Sequence, residues 1–207
     1  MPSVLELAVL GLLKERAMHG YELRKQLSQK LGLFWTVSFG SLYPTLRRLE
    51  KRGAVRKTLD ADQTSRRKQV YEITPAGERE FLERLEEGTG SGTDEDKFPL
   101  RLAFFRYLKP ETRIRLLERR KAYLEDQLVE GRRSLQRAKR GRADTYTLSL
   151  MRHGMDATEH DITWLDELIT AERASLAAEQ AEEDPPPDPP AEAPADDGGQ
   201  PSELQTK

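Results

Sequence analysis

Hydrophobic and polar positions follow a helical period over most of the chain, and apolar residues recur there at intervals of three and four. Two short stretches instead alternate with the period of a β-strand and are separated by polar, turn-forming residues. Thr74 followed by Pro75 is typical of a helix N-terminus. The pattern predicts helices at residues 4–16, 21–31 and 41–52, strands at 54–59 and 68–73, and a fourth helix at 75–87.

The third predicted helix has two different faces. Leu42, Leu46 and Leu49 recur at helical spacing and line one side. Because Pro44 is tolerated best in a first helical turn, we expect the helix to begin at about Ser41. A face of small, hydroxyl-bearing and cationic residues suits the major groove of DNA, although an ordinary solvated face would look similar. That face carries Gly40, Ser41, Tyr43, Pro44, Arg47, Arg48 and Lys51.

Three helices followed by a two-stranded hairpin predict a winged helix, a variant of the helix-turn-helix in which the third helix enters the major groove. Arg66, Arg67 and Lys68 lie at the predicted hairpin tip. We expect them to contact phosphate, and the alternative is a solvated turn.

Several single residues before the third helix have a predicted role. Ser3 and Glu6 have the spacing of a capping box, in which Glu6 reaches back to the start of the first helix. Gly11 predicts close packing against a neighbouring element. His19 either caps the second helix as a turn residue or approaches a phosphate or a partner strand. Trp35, in an extended link at 33–37, is expected to pack in the core.

The second half of the chain is predicted to be helical. A short apolar helix at 99–108 precedes a longer one that starts at Pro110, and a last helix is expected at 144–179. Since one short helix offers little cover for the apolar stripes of two long ones, we expect a second copy to cover them. The predicted dimerisation residues are Leu148, Met151, Met155, Ile162, Leu165 and Ile169.

Composition divides the chain further. A Gly-rich, acidic stretch predicts a flexible linker, and a Pro-rich, acidic C-terminus predicts disorder. The fold class expected is mainly α with a small β-hairpin, in which a winged-helix domain is joined to a coiled-coil-like helical dimerisation domain. The predicted boundaries are 1–87 for the first domain, 88–96 for the linker, 97–181 for the helical domain and 182–207 for the tail.

The net charge of −2 conceals a segregation of charge. The predicted tail, 182–207, carries eight acidic residues and one lysine, whereas residues 1–181 carry 33 basic and 28 acidic residues, a net charge of +5. A modestly basic body is compatible with binding a polyanion. The chain has no cysteine, which excludes disulfides and thiolate zinc sites and fits a cytoplasmic location. No apolar run approaches the roughly 20 residues of a membrane span.

The sequence offers little that would support catalysis. It has no Gly-rich phosphate loop and no Ser, His and Asp set in a nucleophile context, so we expect neither an enzyme nor a cofactor. His153, Asp156 and His160 would share one face of the last helix. They could form a metal or effector site, but a solvated polar face is the preferred interpretation, and no metal is predicted.

Residues 4–86 resemble the N-terminal domain of PadR-family transcriptional regulators. The matching segments are Leu-Glu-Leu-Ala-Val-Leu-Gly-Leu-Leu at 5–13, His-Gly-Tyr-Glu-Leu at 19–23, Gly-Ser-Leu-Tyr-Pro-Thr-Leu-Arg-Arg-Leu-Glu at 40–50, Gly53, and Tyr-Glu-Ile-Thr-Pro-Ala-Gly at 71–77. The resemblance implies a dimeric, usually repressing, DNA-binding protein. It places the recognition residues at Ser41, Tyr43, Thr45 and Arg47 and the wing at 66–68. The helical region resembles the longer C-terminal dimerisation domain of one PadR subgroup.

The favoured hypothesis is a homodimeric, sequence-specific regulator that represses transcription from a pseudo-palindromic site on double-stranded DNA and is released by a small-molecule effector. One alternative is a winged-helix module that binds protein without specific DNA binding. A second alternative is a small-molecule or metal-binding enzyme. The predicted DNA-binding residues are Ser38, Gly40, Ser41, Tyr43, Thr45, Arg47, Arg48, Lys51, Arg66, Arg67 and Lys68.

Overall fold

The computed structural model describes residues 4–31, 39–59, 69–87 and 98–183. The predicted linker at 88–96, the extended link that contains Trp35, the hairpin tip and most of the predicted tail lie outside these ranges. The elements are α1 (Val4–Glu15), β1 (Met18–His19), α2 (Gly20–Leu31), α3 (Phe39–Lys51), β2 (Val55–Leu59), β3 (Gln69–Ile73), α4 (Pro75–Glu86), α5 (Phe98–Leu102), a 3-10 turn (Phe105–Tyr107), α6 (Pro110–Arg140) and α7 (Thr145–Glu183).

The predicted hairpin is confirmed and gains a third strand. β2 and β3 pair in antiparallel fashion, from Val55 opposite Ile73 to Leu59 opposite Gln69. The residues between the first two predicted helices form β1, which pairs with β3 and gives the order β1-β3-β2. His19 therefore approaches a partner strand, and its Nδ1 lies 3.1 Å from the Gln69 carbonyl oxygen.

The core of the first part is built from the predicted apolar faces. α1 buries every residue from 5 to 13, because neighbouring elements cover all of its sides. The inward leucines of α2 and α3 and two residues of α4 complete the cluster. Each fully buried side chain of this size contributes about 1.5–3 kcal/mol. These residues are Leu23, Leu27, Leu42, Leu46, Leu49, Phe81 and Leu85.

Gly11 is the point at which the C-terminal region packs on α1, as the sequence predicted. A Cβ at Gly11 would lie 2.4 Å from Cε1 of Phe104, so only glycine leaves room for that ring. Phe104 also meets Phe81 edge to face, with ring centroids 5.7 Å apart. The predicted helix at 99–108 is interrupted at this point: Phe104 turns toward α1, while Phe105 packs against Phe98.

Substitution of Gly11 by alanine is expected to lower the free energy of unfolding by about 1–3 kcal/mol, because Phe104 must move within a packed core. Gly154 provides the matched control, since nothing lies within 4 Å of a Cβ at that exposed helical position. Gly154→Ala should leave the stability unchanged or raise it by up to about 1 kcal/mol. Urea denaturation of the two variants measures the difference, and equal stabilities would contradict the packing role of Gly11.

α6 and α7 form an antiparallel hairpin and bury their predicted stripes on each other. Lys121 is a charged position on the α6 side of the hairpin, and its Nζ lies 2.6 Å from Asp166 Oδ1 on α7. Gly131 lies against Met155 of α7, whose Cγ would be 3.3 Å from a Cβ added to this glycine. The polar and small positions of α6 are therefore matched to particular partners on α7.

This hairpin corrects part of the predicted dimerisation surface. Leu165 and Ile169 are buried within a single chain and offer no surface to a second copy. The other four predicted residues, Leu148, Met151, Met155 and Ile162, are half-buried on the same side of α7. A stripe spaced by three and four residues shows that a helix buries one side, but it does not distinguish a partner helix in the same chain from one in another chain.

α7 begins with a side-chain cap and ends later than expected. Asp144 Oδ1 accepts hydrogen bonds from the backbone N–H groups of Tyr146 and Thr147, which fixes the start of the helix. The helix continues through Glu183, four residues beyond its predicted end at 179. None of the helices that the structure describes combines the length and the apolar character needed to cross a bilayer.

Candidate nucleic-acid interface

α3 presents one buried and one exposed face, as predicted, but the helix begins earlier than predicted. Leu42, Leu46 and Leu49 are buried against α1 and the sheet. The helix starts at Phe39 rather than at about Ser41, so Pro44 lies beyond the first turn. Pro44 has no N–H and cannot donate the bond that would close on the Gly40 carbonyl. The exposed residues are Gly40, Ser41, Tyr43, Pro44, Arg47, Arg48 and Lys51.

Tyr43 and Arg47 project from the middle of this exposed face. The half-exposed Tyr43 ring lies against the first residue of α2, so that a Cβ on Gly20 would be 3.0 Å from Tyr43 Cε1. Both side chains lie close enough to the buried Tyr71 to act on it electrostatically. Burial raises the pKa of the Tyr71 hydroxyl, and Glu50 and Tyr43 add to that effect while Lys57 and Arg47 oppose it.

The last turn of α3 is anchored to the sheet. Glu50 Oε2 lies 2.6 Å from the Lys57 Nζ on β2, and this hydrogen bond raises the pKa of Lys57. The Lys57 ammonium also lies 5.7 Å from the centre of the Tyr71 ring. These contacts fix the angle between the exposed face of α3 and the hairpin.

The structure contradicts the predicted role of Thr45. Its side chain is 1% exposed and therefore cannot reach a nucleic acid from outside. Its hydroxyl accepts a 2.9 Å hydrogen bond from Arg48 Nη2, which satisfies a buried polar group. A threonine beside exposed residues suggests a contact with DNA. On the helix, however, Thr45 lies at the edge of the buried leucine face.

The predicted wing cannot be compared with the structure. Arg66, Arg67 and Lys68, together with Ser38 before α3, lie outside the described residues. Their proposed contacts remain predictions from the sequence. On the described part of the hairpin, Arg56 is exposed and its Nε lies 3.0 Å from Glu72 Oε2 on β3.

α2 contributes surface residues that the sequence interpretation did not assign to DNA. Tyr21, Arg24, Lys25, Ser28 and Gln29 line an open concavity of about 390 Å³ on its outer side. The Tyr21 ring is exposed and stacks on His19, with centroids 5.5 Å apart. α2 and α3 are the two helices of the helix-turn-helix, and the first helix of this motif crosses the DNA backbone. The outward-facing cations of α2 were therefore the sequence feature from which this surface could have been predicted.

Glu6 is buried beneath three arginines, while Ser3, its partner in the predicted capping box, lies outside the described residues. The Glu6 carboxylate is 3% exposed and accepts hydrogen bonds from Arg48, Arg52 and Arg84, at 3.3, 3.0 and 3.1 Å. Burial raises the pKa of this carboxyl, but the hydrogen bonds from Arg52 and Arg84 and the charge of Arg52 outweigh that effect. The net pKa is below its ordinary value of 4.5, and Glu6 is anionic at neutral pH.

The free energy of unfolding should fall at acidic pH because of Glu6. Its folded-state pKa is below the unfolded-state value, so the unfolded chain binds more protons between the two values. The contribution of Glu6 is therefore complete above about pH 5 and is lost as the pH falls through the folded-state pKa. Denaturation from about pH 6 to pH 3 should show a shallower acid-side loss in Glu6→Gln than in the wild type. Glu78→Gln, in an exposed pair with Lys14, should retain the wild-type slope.

Comparisons with known proteins identify this arrangement. Residues 9–83 match the model of the transcriptional regulator PadR-like family. Residues 9–83 are a domain of the PadR-like family of transcriptional regulators. Residues 96–172 match a second model, described as virulence activator alpha C-term. The PadR-like match contains the second half of α1, α2, α3, the sheet and most of α4, and the second match contains α5, α6 and most of α7.

Two curated relatives and one solved structure resemble this chain. The negative transcriptional regulator PadR of Bacillus subtilis is 29% identical over 128 residues, which are 59% of this chain and 70% of that protein. A probable transcriptional regulator of Mycobacterium tuberculosis is 28% identical over 179 residues, 79% of this chain and 95% of that one. The crystal structure of Bacillus subtilis PadR in complex with operator DNA has 21% identity and a TM-score of 0.41, and the match covers 82% and 99% of the two chains.

His153, Asp156 and His160 are exposed on α7. Within the described ranges no group of three or more His, Cys, Asp or Glu side chains is placed to hold a metal ion.

Proposed function

We propose that this protein is a homodimer that binds a pseudo-palindromic operator and represses transcription. The observation that carries the proposal is the exposed face of α3, where Tyr43, Arg47 and Lys51 project from a helix whose opposite side is buried. The cations on the outer side of α2 extend the same surface. A major groove accommodates one helix of this kind, and neighbouring phosphates accept the flanking cations.

The residues of this face have distinct proposed contacts. Arg47 can donate two hydrogen bonds to the O6 and N7 atoms of guanine, and Tyr43 contacts the backbone or a thymine methyl. Gly40 and Ser41 allow close approach at the start of α3, and Lys51 contacts phosphate. We keep Arg66, Arg67 and Lys68 as phosphate contacts on the ground of the sequence alone. Two copies of α3 would lie about 34 Å apart, one turn of DNA.

An exposed stripe on α7 supports the dimer. Tyr146 and Leu150 are 87% and 71% exposed, and Trp164, five turns further along the same side, is partly exposed. Large apolar side chains on one side of a helix favour burial against a partner. In a twofold dimer the same stripe from each copy would meet its counterpart. This stripe replaces the buried Leu165 and Ile169 as the proposed interface.

Repression and release are the regulatory part of the proposal. The Bacillus subtilis relative is a negative regulator by name, which supports a repressing role. A mainly apolar cavity of about 370 Å³ lies between α5, α6 and α7 and provides room for a small-molecule effector. It includes Phe98, Leu102, Arg120 and Trp164 in its lining. Trp164 also belongs to the α7 stripe that would form the dimer interface. An effector bound in the cavity would therefore change how the two copies meet, and with it the distance between their α3 helices.

The test is selection of duplexes from a randomised pool with the full-length protein, followed by footprinting of the DNA upstream of its own gene. We expect an inverted repeat that is protected over two half-sites. Binding to it should weaken by about tenfold or more for a few-fold increase in salt, since phosphate contacts release counterions. A winged-helix module that binds only protein would yield no enriched sequence and little dependence on salt, and that result would reject the proposal.

A further inference from the structure

The strongest feature outside the proposed contacts is the cluster of arginines around Glu6. This carboxylate lies in the first turn of α1, and its partners come from three later parts of the chain. Arg48 belongs to α3, Arg52 follows it directly, and Arg84 belongs to α4. Several cations thus share one buried anion.

The three arginines differ in how much of each side chain reaches solvent. Arg84 is 17% exposed and also pairs with Glu80 on its own helix. Arg48 and Arg52 are 53% and 41% exposed, at one edge of the α3 face. Arg48 and Arg52 therefore keep part of each side chain in solvent while they are bound to Glu6. Glu6 holds two guanidinium groups that could otherwise reach a DNA backbone.

We propose that Glu6 determines specificity by withholding Arg48 and Arg52 from phosphate. The inference rests on the proposed DNA-binding function and assigns a role to Glu6, which is buried behind the contact surface. Phosphate contacts bind every DNA sequence equally and account for nearly all non-specific affinity. By retaining two cations at the edge of α3, Glu6 lowers affinity for unrelated DNA and leaves discrimination to Tyr43 and Arg47.

The position of Arg48 supports this role. Its Nη2 donates to Thr45 Oγ1 at 2.9 Å and its Nε donates to Glu6 Oε1 at 3.3 Å, so the guanidinium is directed along the protein surface. Arg52 Nη2 likewise lies 3.0 Å from Glu6 Oε2 and 3.0 Å from Glu80 Oε1. These bonds occupy part of the five N–H donors of each guanidinium and hold the Glu6 carboxylate against its charge, which weakens its attraction for a phosphate. We therefore assign Arg48 no direct contact in the operator complex.

The experiment measures affinity against KCl concentration for full-length wild type and Glu6→Gln. The two probes are a duplex selected with the wild-type protein and a duplex of unrelated sequence. Each cation that gains a phosphate steepens the plot of log K against log salt by about 0.9. We expect Glu6→Gln to steepen the slope for the unrelated duplex by about 1–2 and to tighten that complex about tenfold at roughly 100 mM KCl. The ratio of specific to non-specific affinity should fall by a similar factor.

The matched control removes the same charge elsewhere. Glu78 lies in the first turn of α4, and its partly exposed carboxylate pairs with Lys14 at 3.4 Å. Glu78→Gln should leave both the slope and the specificity ratio as in the wild type. A Glu6→Gln protein that is folded by circular dichroism and has the wild-type slope for the unrelated duplex overturns the inference.

A second variant keeps the inference testable if Glu6→Gln fails to fold. Arg52→Gln should leave the slope for the unrelated duplex unchanged, because the wild-type protein withholds this side chain from phosphate. A slope that becomes shallower by about 0.9 would show that Arg52 already contacts phosphate and would overturn the inference. Failure of the proposed function is a separate result, since the wild-type protein would then prefer no selected duplex over the unrelated one.

Discussion

Replacement of Tyr43 and Arg47 together by alanine should abolish operator binding and leave the fold intact. Both side chains project from the exposed face of α3, and neither belongs to the leucine face that holds the helix in place. A good bidentate contact to a base contributes about 1–3 kcal/mol of discrimination. Loss of two contacts should therefore reduce affinity for the selected duplex by about 100-fold or more, measured by fluorescence anisotropy.

Controls separate direct contact from loss of packing. Tyr43→Phe keeps the ring against Gly20 and removes only the hydroxyl, so any loss of affinity in this variant measures the hydrogen bond. Arg119→Ala removes an exposed cation from α6 and should leave operator affinity unchanged. If the double variant is folded and gives the same footprint as the wild type, α3 does not read the operator.

The sequence predicted the buried face of α3 but not which residues at its edge are buried. Helical spacing identified the buried leucines, since burial of one side imposes a 3.6-residue period. Thr45 lies at the edge between the two faces. Its polar side chain suggests exposure, whereas its position on the helix allows burial. Its burial depends on a hydrogen bond from Arg48, three residues further along. The period of the sequence does not show which edge residues find such a partner.

Glu6 illustrates a second limit. A serine followed three residues later by a glutamate at the start of a helix predicts a local cap. Three further partners of Glu6 are 42, 46 and 78 residues away in sequence and meet it only after α1, α3 and α4 have packed. A local pattern carries no information about contacts of that separation. The two-residue strand β1 was missed for a similar reason, because it is recognisable only from its pairing with β3.

The second large effect concerns the exposed stripe of α7. Substitution of Tyr146 and Leu150 together by glutamate is expected to dissociate the proposed dimer, since each twofold-related copy would bring two carboxylates into the proposed interface. A monomer engages one half-site only, so operator affinity should fall by about 100-fold or more. Sedimentation velocity measures the change of mass, and anisotropy with the selected duplex measures the loss of binding.

The expected result also depends on where the stripe lies relative to the hairpin. Tyr146 and Leu150 are on the side of α7 that α6 does not cover, and their substitution should leave the secondary structure intact. Thr163→Glu places one carboxylate on another exposed side of the same helix and should remain dimeric. If the double variant remains a dimer at micromolar concentration, another surface forms the interface. The half-buried residues beside α6, such as Met151 and Met155, would then have to contact α6 of their own chain and a helix of the second copy at once.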